Sequence, residues 1–232
     1  TAGLWSCPQF ESANGDNLPL FIDDPPSYTP FIDAYLLDLS GEEFDTLLPG
    51  HVSRLRKRFS MGWWKYDQAF FVADSRAGAM RNVVTFQNGL RATRQANPDL
   101  TIENCQSGGR MLNELTLLAT QISWLRDSND TGFSHARQNI STALGALEFV
   151  FPWSAYRWTN TFNKMDADDD ELTRLYCRSA MAGVWGISSD LTKISDRQRA
   201  VILSEIENYR RLNEIKQSCW YDLQLPTDTA DV

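Results

Sequence analysis

The sequence predicts an α/β fold of the (β/α)8 TIM-barrel type, with only part of the barrel present. Short apolar runs alternate with amphipathic helical patterns along the whole chain, which is the mark of a parallel sheet with helical crossovers. Three of those runs end on Asp67, Cys105 and Asp127, and together they span two strand–helix–strand units in about 60 residues, close to the roughly 30 per unit of such a barrel. About six strands can be counted, ending near Ser6, Asp67, Asn104, Asp127, Phe151 and Ile187, whereas a closed barrel needs eight.

The elements follow in order. Gly3-Leu4-Trp5-Ser6 is a short strand stopped by Cys7-Pro8. Residues Glu11 to Pro30, rich in Pro, Asp, Asn and Ser, read as a long loop. Ala34 to Ser40 is apolar and leads into a helix, with Ser40 and Glu43 as a capping box and Phe44, Leu47, Leu48 and Val52 as its apolar positions. Trp63 to Asp67 is a strand with aromatics on both faces. A helix spans roughly Ala79 to Ala96, its Val83, Phe86 and Leu90 at helical spacing, and Asn97-Pro98-Asp99 stops it. Leu100 to Asn104 is a strand, Met111 to Gln121 a helix, and Ile122 to Asp127 a strand. Phe133 to Leu147 is helical, Phe149-Val150-Phe151 a strand, and Ala180 to Ile187 holds the last strand. Ser195 caps a closing helix with Gln198 as its partner, and Ile202, Ile206, Tyr209, Leu212 and Ile215 form its inner face.

Composition narrows the function. A chain of 232 residues with 42% hydrophobic content buries a sizeable core, and one domain over residues 1–232 is the expected organisation. A net charge of −8 argues against nucleic acid and against an anionic membrane as partners. The four cysteines, Cys7, Cys105, Cys177 and Cys219, form no CxxC pair, so neither a zinc ribbon nor a disulfide framework is expected. The two histidines, His51 and His135, lack partners at metal spacing and read as surface residues. No metal and no cofactor is implied, and carboxylate chemistry remains.

That chemistry gathers in Gly62-Trp63-Trp64-Lys65-Tyr66-Asp67-Gln68. Lys65 and Asp67 are two apart and so point the same way off a strand. A cation and an anion on one face of a buried strand are paired or functional. Polar residues at the carboxyl ends of barrel strands belong to the active-site mouth. Asp67 and Asp127 so placed suit glycoside hydrolysis, with one acid as nucleophile and the other as general acid/base. Lys65 beside Asp67 would hold it ionised. Asp127 would need a drier site, to which Trp124 could contribute. Ser107-Gly108-Gly109 lets the backbone approach a ligand closely. Trp5, Trp63 and Trp64 would suit stacking on sugar rings.

These residues carry a family resemblance. Lys65-Tyr66-Asp67 resembles the Lys-Trp-Asp nucleophile motif of melibiase-type α-galactosidases, glycoside hydrolase family 36. Glu103-Asn104-Cys105-Gln106-Ser107-Gly108-Gly109-Arg110 is similar to that family's Glu-Ser-Cys-x-Ser-Gly-Gly-Gly-Arg loop. Trp124-Leu125-Arg126-Asp127-Ser128-Asn129-Asp130 resembles its Trp-x-Ser-Asp-x-Thr-Asp segment. Gly3-Leu4-Trp5, Leu37-Asp38-Leu39-Ser40 and Gly183-Val184-Trp185-Gly186-Ile187 resemble further family segments, in the right order. The resemblance implies a retaining hydrolase of terminal α-galactosides that needs no metal. Asp67 would be its nucleophile and Asp127 its acid/base, and Lys65, Cys105, Ser107 and Gly108 would line the sugar subsite.

The sequence also departs from the family. The Asp-Asp-Gly-Trp strand that grips the far side of the sugar is missing, and no Arg precedes Leu37-Asp38-Leu39-Ser40. The resemblance begins at what would be the third barrel strand, so the chain reads as the third to eighth strands. It would then be a segment of a longer protein, or a barrel that another segment completes. Two rival readings stand beside the hydrolase. One is a degenerate barrel that binds glycan or serves as a scaffold, and the other is a Schiff-base aldolase using Lys65.

Overall fold

The computed structural model describes residues 2–6, 10–12, 28–31, 34–37, 44–67, 76–109, 111–127, 132–146, 148–160, 162, 165 and 169–218. The capping pair Ser40 and Glu43, the thiols Cys7 and Cys219, and the middle of the loop expected from Glu11 to Pro30 lie outside these residues. The chain forms two compact units, Thr1–Asp127 and Ser128–Val232. Parallel strands alternate with helices, so the class is α/β. None of the described helices is long and apolar enough to cross a membrane.

In the first unit, β1 (Ala2–Ser6) pairs with β5 (Met61–Tyr66), β5 with β6 (Thr101–Asn104) and β6 with β7 (Ile122–Trp124), all in parallel. A small antiparallel sheet, β2 (Phe10–Ser12), β4 (Ala34–Leu37) and β3 (Tyr28–Phe31), forms at the two ends of the expected loop. The helices are α1 (Phe44–Phe59), α2 (Arg76–Ala96), α3 (Gln106–Gly109) and α4 (Glu114–Ala119).

Leu48, Val52 and Leu55 recur at i, i+4 and i+7 along α1, which turns one apolar stripe towards the sheet. Three basic residues, Arg56, Lys57 and Arg58, sit in its last turn, where they favour the helix dipole. Ser60, at φ 50°, then reverses the chain into β5. From α2, Phe86 and Leu90 meet Trp64 and Tyr66 of β5 and Ile102 of β6 in one buried cluster. The Asn97 N–H closes α2 onto the Thr93 carbonyl at 3.0 Å, which holds the stop expected there.

In the second unit the order is α5 (Gly132–Ala146), β8 (Ala155–Asn160), α6 (Asp170–Ala180), β9 (Val184–Ser188) and α7 (Asp196–Ser218). β8 and β9 pair in parallel, with Tyr156 opposite Val184 and Asn160 opposite Ser188. The capping box of α7 forms as expected. Ser195 Oγ accepts from the Gln198 N–H at 3.1 Å, and Gln198 Oε1 accepts from the Ser195 N–H at 3.4 Å. Such a cap contributes about 1 kcal/mol.

Two expectations are corrected in this unit. Phe149-Val150-Phe151 joins two turns: the N–H groups of Phe149 and Val150 donate back to the Ala146 carbonyl, and those of Ser154 and Ala155 to the Phe151 carbonyl. Only Val150 of that run is buried, and the strand follows at Ala155. His51 and His135 are buried rather than at the surface, at 5% and 0% exposure. His135 stands edge-on to Trp158 and Tyr176, with Nε2 at 2.9 Å from the Trp158 carbonyl oxygen. Packing as an aromatic with one satisfied ring nitrogen removes the cost of burying it.

Candidate active site

The alternation of β5 sorts its residues onto two faces. Trp64 and Tyr66 point into the cluster under α1 and α2, both at 0% exposure. Trp63, Lys65 and Asp67 therefore share the opposite face. This corrects the sugar-stacking role expected for Trp64, because a fully buried ring in the helix-facing core offers no face to a ligand. Trp63, only partly buried, is on the site's face instead.

The neighbouring strands supply the rest. Lys65 stands level with Glu103 in the β5–β6 ladder, and the two side chains form an ion pair at 3.6 Å. Trp63 Nε1 donates to Glu103 Oε2 at 2.7 Å. The Lys65 ammonium also lies 3.3 Å from the centre of the Trp124 ring, a cation–π contact across to β7. Trp124 Nε1 in turn donates to Asp127 Oδ1 at 2.9 Å. So Lys65 serves Glu103 and Trp124 as well as the face it shares with Asp67.

Glu103 is the residue that the sequence reading passed over. It is 4% exposed, and burial pushes its carboxyl up while Lys65 and the Trp63 donor pull it back. A signal was present, since an acid between Ile102 and Asn104 in a buried run needs a partner, and ladder register with Lys65 supplies one.

The glycine-rich loop explains how Asp127 is fixed. Gly108 and Gly109 have φ of 77° and 86°, a backbone region that favours glycine. A Cβ on Gly108 would meet the Asp127 nitrogen at 2.5 Å and its Cγ at 3.0 Å. One on Gly109 would meet the carbonyl oxygens of Leu125 and Trp124 at 2.8 and 2.9 Å. The segment leaving β7 thus lies directly on the loop leaving β6, and only glycine allows it.

Cys105 sits between the two acids. It is 1% exposed, and its thiol is pushed up to about 12. Burial is the main cause. The Gly108 backbone and Lys65 oppose it, while Asp67 and Asp127 add to it, so both carboxylates act on one sulfur. The thiol is neutral at physiological pH and is no nucleophile.

Asp67 is half-buried, whereas Asp127 is exposed instead of lying in the dry setting expected for it. Trp124 touches Asp127 through the hydrogen bond that it donates to Oδ1. Trp5 is the ladder partner of Lys65, and Ser107 lies within α3; the side chains of both are outside the described residues.

The buried thiols also give a pH dependence. Cys177 is likewise pushed up to about 12, mainly by burial. Between the ordinary value of 9.0 and about 12, the unfolded chain ionises these thiols while the folded chain keeps them neutral. Their contribution is fully present below pH 9 and drains as pH rises through that window. Urea unfolding at stepped pH is expected to show it, with a shallower fall in Cys105→Ala and Cys177→Ala.

No protein-family model matches the chain, and no curated protein does. Solved structures do match. The galactosidase domain of the α-galactosidase–sucrose kinase AgaSK is similar, with a TM-score of 0.73 at 18% identity, over 93% of this chain and 30% of that one. An AgaA variant, a glycoside hydrolase family 36 α-galactosidase from Geobacillus stearothermophilus bound to raffinose, gives 0.73 at 17% identity, over 93% and 31%. The α-galactosidase from Lactobacillus brevis gives 0.72 at 18%, over 93% and 30%. The fold is therefore one found within these α-galactosidases, and this chain spans less than a third of their length.

Proposed function

We propose that this chain carries the catalytic carboxylates of a retaining glycoside hydrolase acting on terminal α-galactosides or related α-glycosides. The observation that carries this reading is the seating of Asp127 on Gly108, with Cys105 feeling both Asp127 and Asp67. Two acids follow β5 and β7, with β6 and its Cys105 between them, in a fold shared with α-galactosidases. In this reading the main strands are the third to eighth of an eight-stranded barrel, and a further segment of the same protein completes it.

Asp67 is the nucleophile. Its carboxylate bonds to the anomeric carbon as the glycosidic bond breaks, and Asp127 gives its proton to the departing oxygen. Asp127 then takes a proton from water, whose oxygen attacks the same carbon and releases Asp67 from the ester. Two displacements retain configuration. Lys65, Cys105, Gly108 and Ser107 line the sugar, and Trp63 and Trp5 flank it. Glu103 holds Lys65 in place from behind.

Asp127→Asn tests the acid role. Hydrolysis of an α-galactoside with a poor leaving group is expected to fall by roughly 10²–10⁴-fold. An activated aryl α-galactoside, which needs little protonation, loses much less in glycosylation. Equal loss with both substrates would remove Asp127 from the acid role.

A further inference from the structure

We propose that the groove between α6 and α7 binds an aliphatic monocarboxylate, independently of the sugar site. α7 has 23 residues and α6 only 11, so α7 runs on past its neighbour. A cavity of about 580 Å³ opens at that step, within the range of small-molecule sites. Glu205, Asn208 and Leu212 recur at i, i+3 and i+7 on α7 and line one wall. Met181, just beyond α6, lines the other.

The polar groups are arranged to receive one negative charge. Glu205, fully buried, accepts from Arg178 Nε at 3.0 Å and from Nη2 at 2.9 Å. This two-point clamp fixes the guanidinium and leaves its Nη1 donors uncommitted among the described residues. Arg211 lines the same cavity and makes no ion pair among the described residues. Arg174 also reaches Glu205, at 3.5 Å, and pairs with Glu171 at 3.7 Å, so three arginines against two glutamates leave a single positive charge around the groove. A carboxylate matches the fork of an arginine. Met181 and Leu212 then offer aliphatic surface to the rest of the ligand.

Decanoate and decan-1-ol, added to the chain and followed by calorimetry below their aggregation limits, separate the charge from the tail. Decanoate is expected to bind at one site, at least about tenfold more tightly than the alcohol. Arg211 is exposed, so Arg211→Gln leaves the fold in place. It is expected to weaken decanoate by about tenfold and to leave the alcohol unchanged. Equal affinity for the two probes, an undiminished decanoate affinity in Arg211→Gln, or no decanoate binding at all would each overturn the proposal.

Discussion

Asp67→Asn is expected to reduce hydrolysis of an aryl α-galactoside by on the order of 10⁵-fold or more, the scale seen when an enzyme nucleophile is removed. Asparagine keeps the shape of aspartate but lacks the anionic oxygen that bonds to the anomeric carbon. Asp67 is only half-buried and follows β5, whose ladder to β6 ends at Tyr66, so the ladder is complete without it. The melting temperature is therefore expected to stay within a few degrees of the parent, a shift of roughly 1 kcal/mol or less. A rate loss accompanied by a collapse in melting temperature would mean that the residue is structural.

Gly108→Ala is expected to give the second-largest effect, through displacement instead of lost chemistry. The new methyl group would stand 2.5 Å from the Asp127 nitrogen, at a φ of 77°. Both the contact and the backbone conformation push the loop and Asp127 apart. A displacement near 1 Å costs about 10²-fold in rate, and the left-handed backbone adds roughly 1–2 kcal/mol of instability. Gly145→Ala is the control. Gly145 lies in α5 with nothing within 4 Å of the added carbon, and alanine there is expected to raise stability by up to about 1 kcal/mol without touching the rate. Full activity in Gly108→Ala would show that the loop does not seat Asp127.

Elements whose apolar period is uninterrupted were the legible ones. β5 and β6 stand within two residues of where their runs predict, β7 starts at Ile122 as expected but ends at Trp124, short of Asp127, and α7 begins at the expected Ser195–Gln198 box. β8 was hidden because it carries a buried arginine. Arg157 is 3% exposed and spends its charge on the carbonyls of Asn139 and Ser179, a tertiary arrangement that no local pattern announces. The Phe149–Phe151 run drew the strand assignment instead, although its rings at 149 and 151 are exposed. α6, for which no helix was expected, is capped by Asp169, which accepts from the Leu172 N–H at 2.8 Å.

The site shows the same division. Period-two alternation places Lys65 and Asp67 together, and the same rule puts Trp64 on the opposite face. Applied to all of β5, it selects Trp63 for the ligand side. Glu103 was less accessible, because its partner comes from ladder register with another strand. The seating of Asp127 on Gly108 depends on two loops meeting in space, and sequence supplies only the glycines.

Trapping the glycosyl-enzyme tests the central claim most directly. A 2-deoxy-2-fluoro-α-galactosyl fluoride slows both displacements but leaves the first one feasible, so the ester accumulates. Intact mass and peptide mapping of the full polypeptide are expected to show one fluorosugar adduct on Asp67, absent in Asp67→Asn. An adduct on a different carboxylate, or turnover of the sugar substrate with Asp67 never modified, would contradict the account.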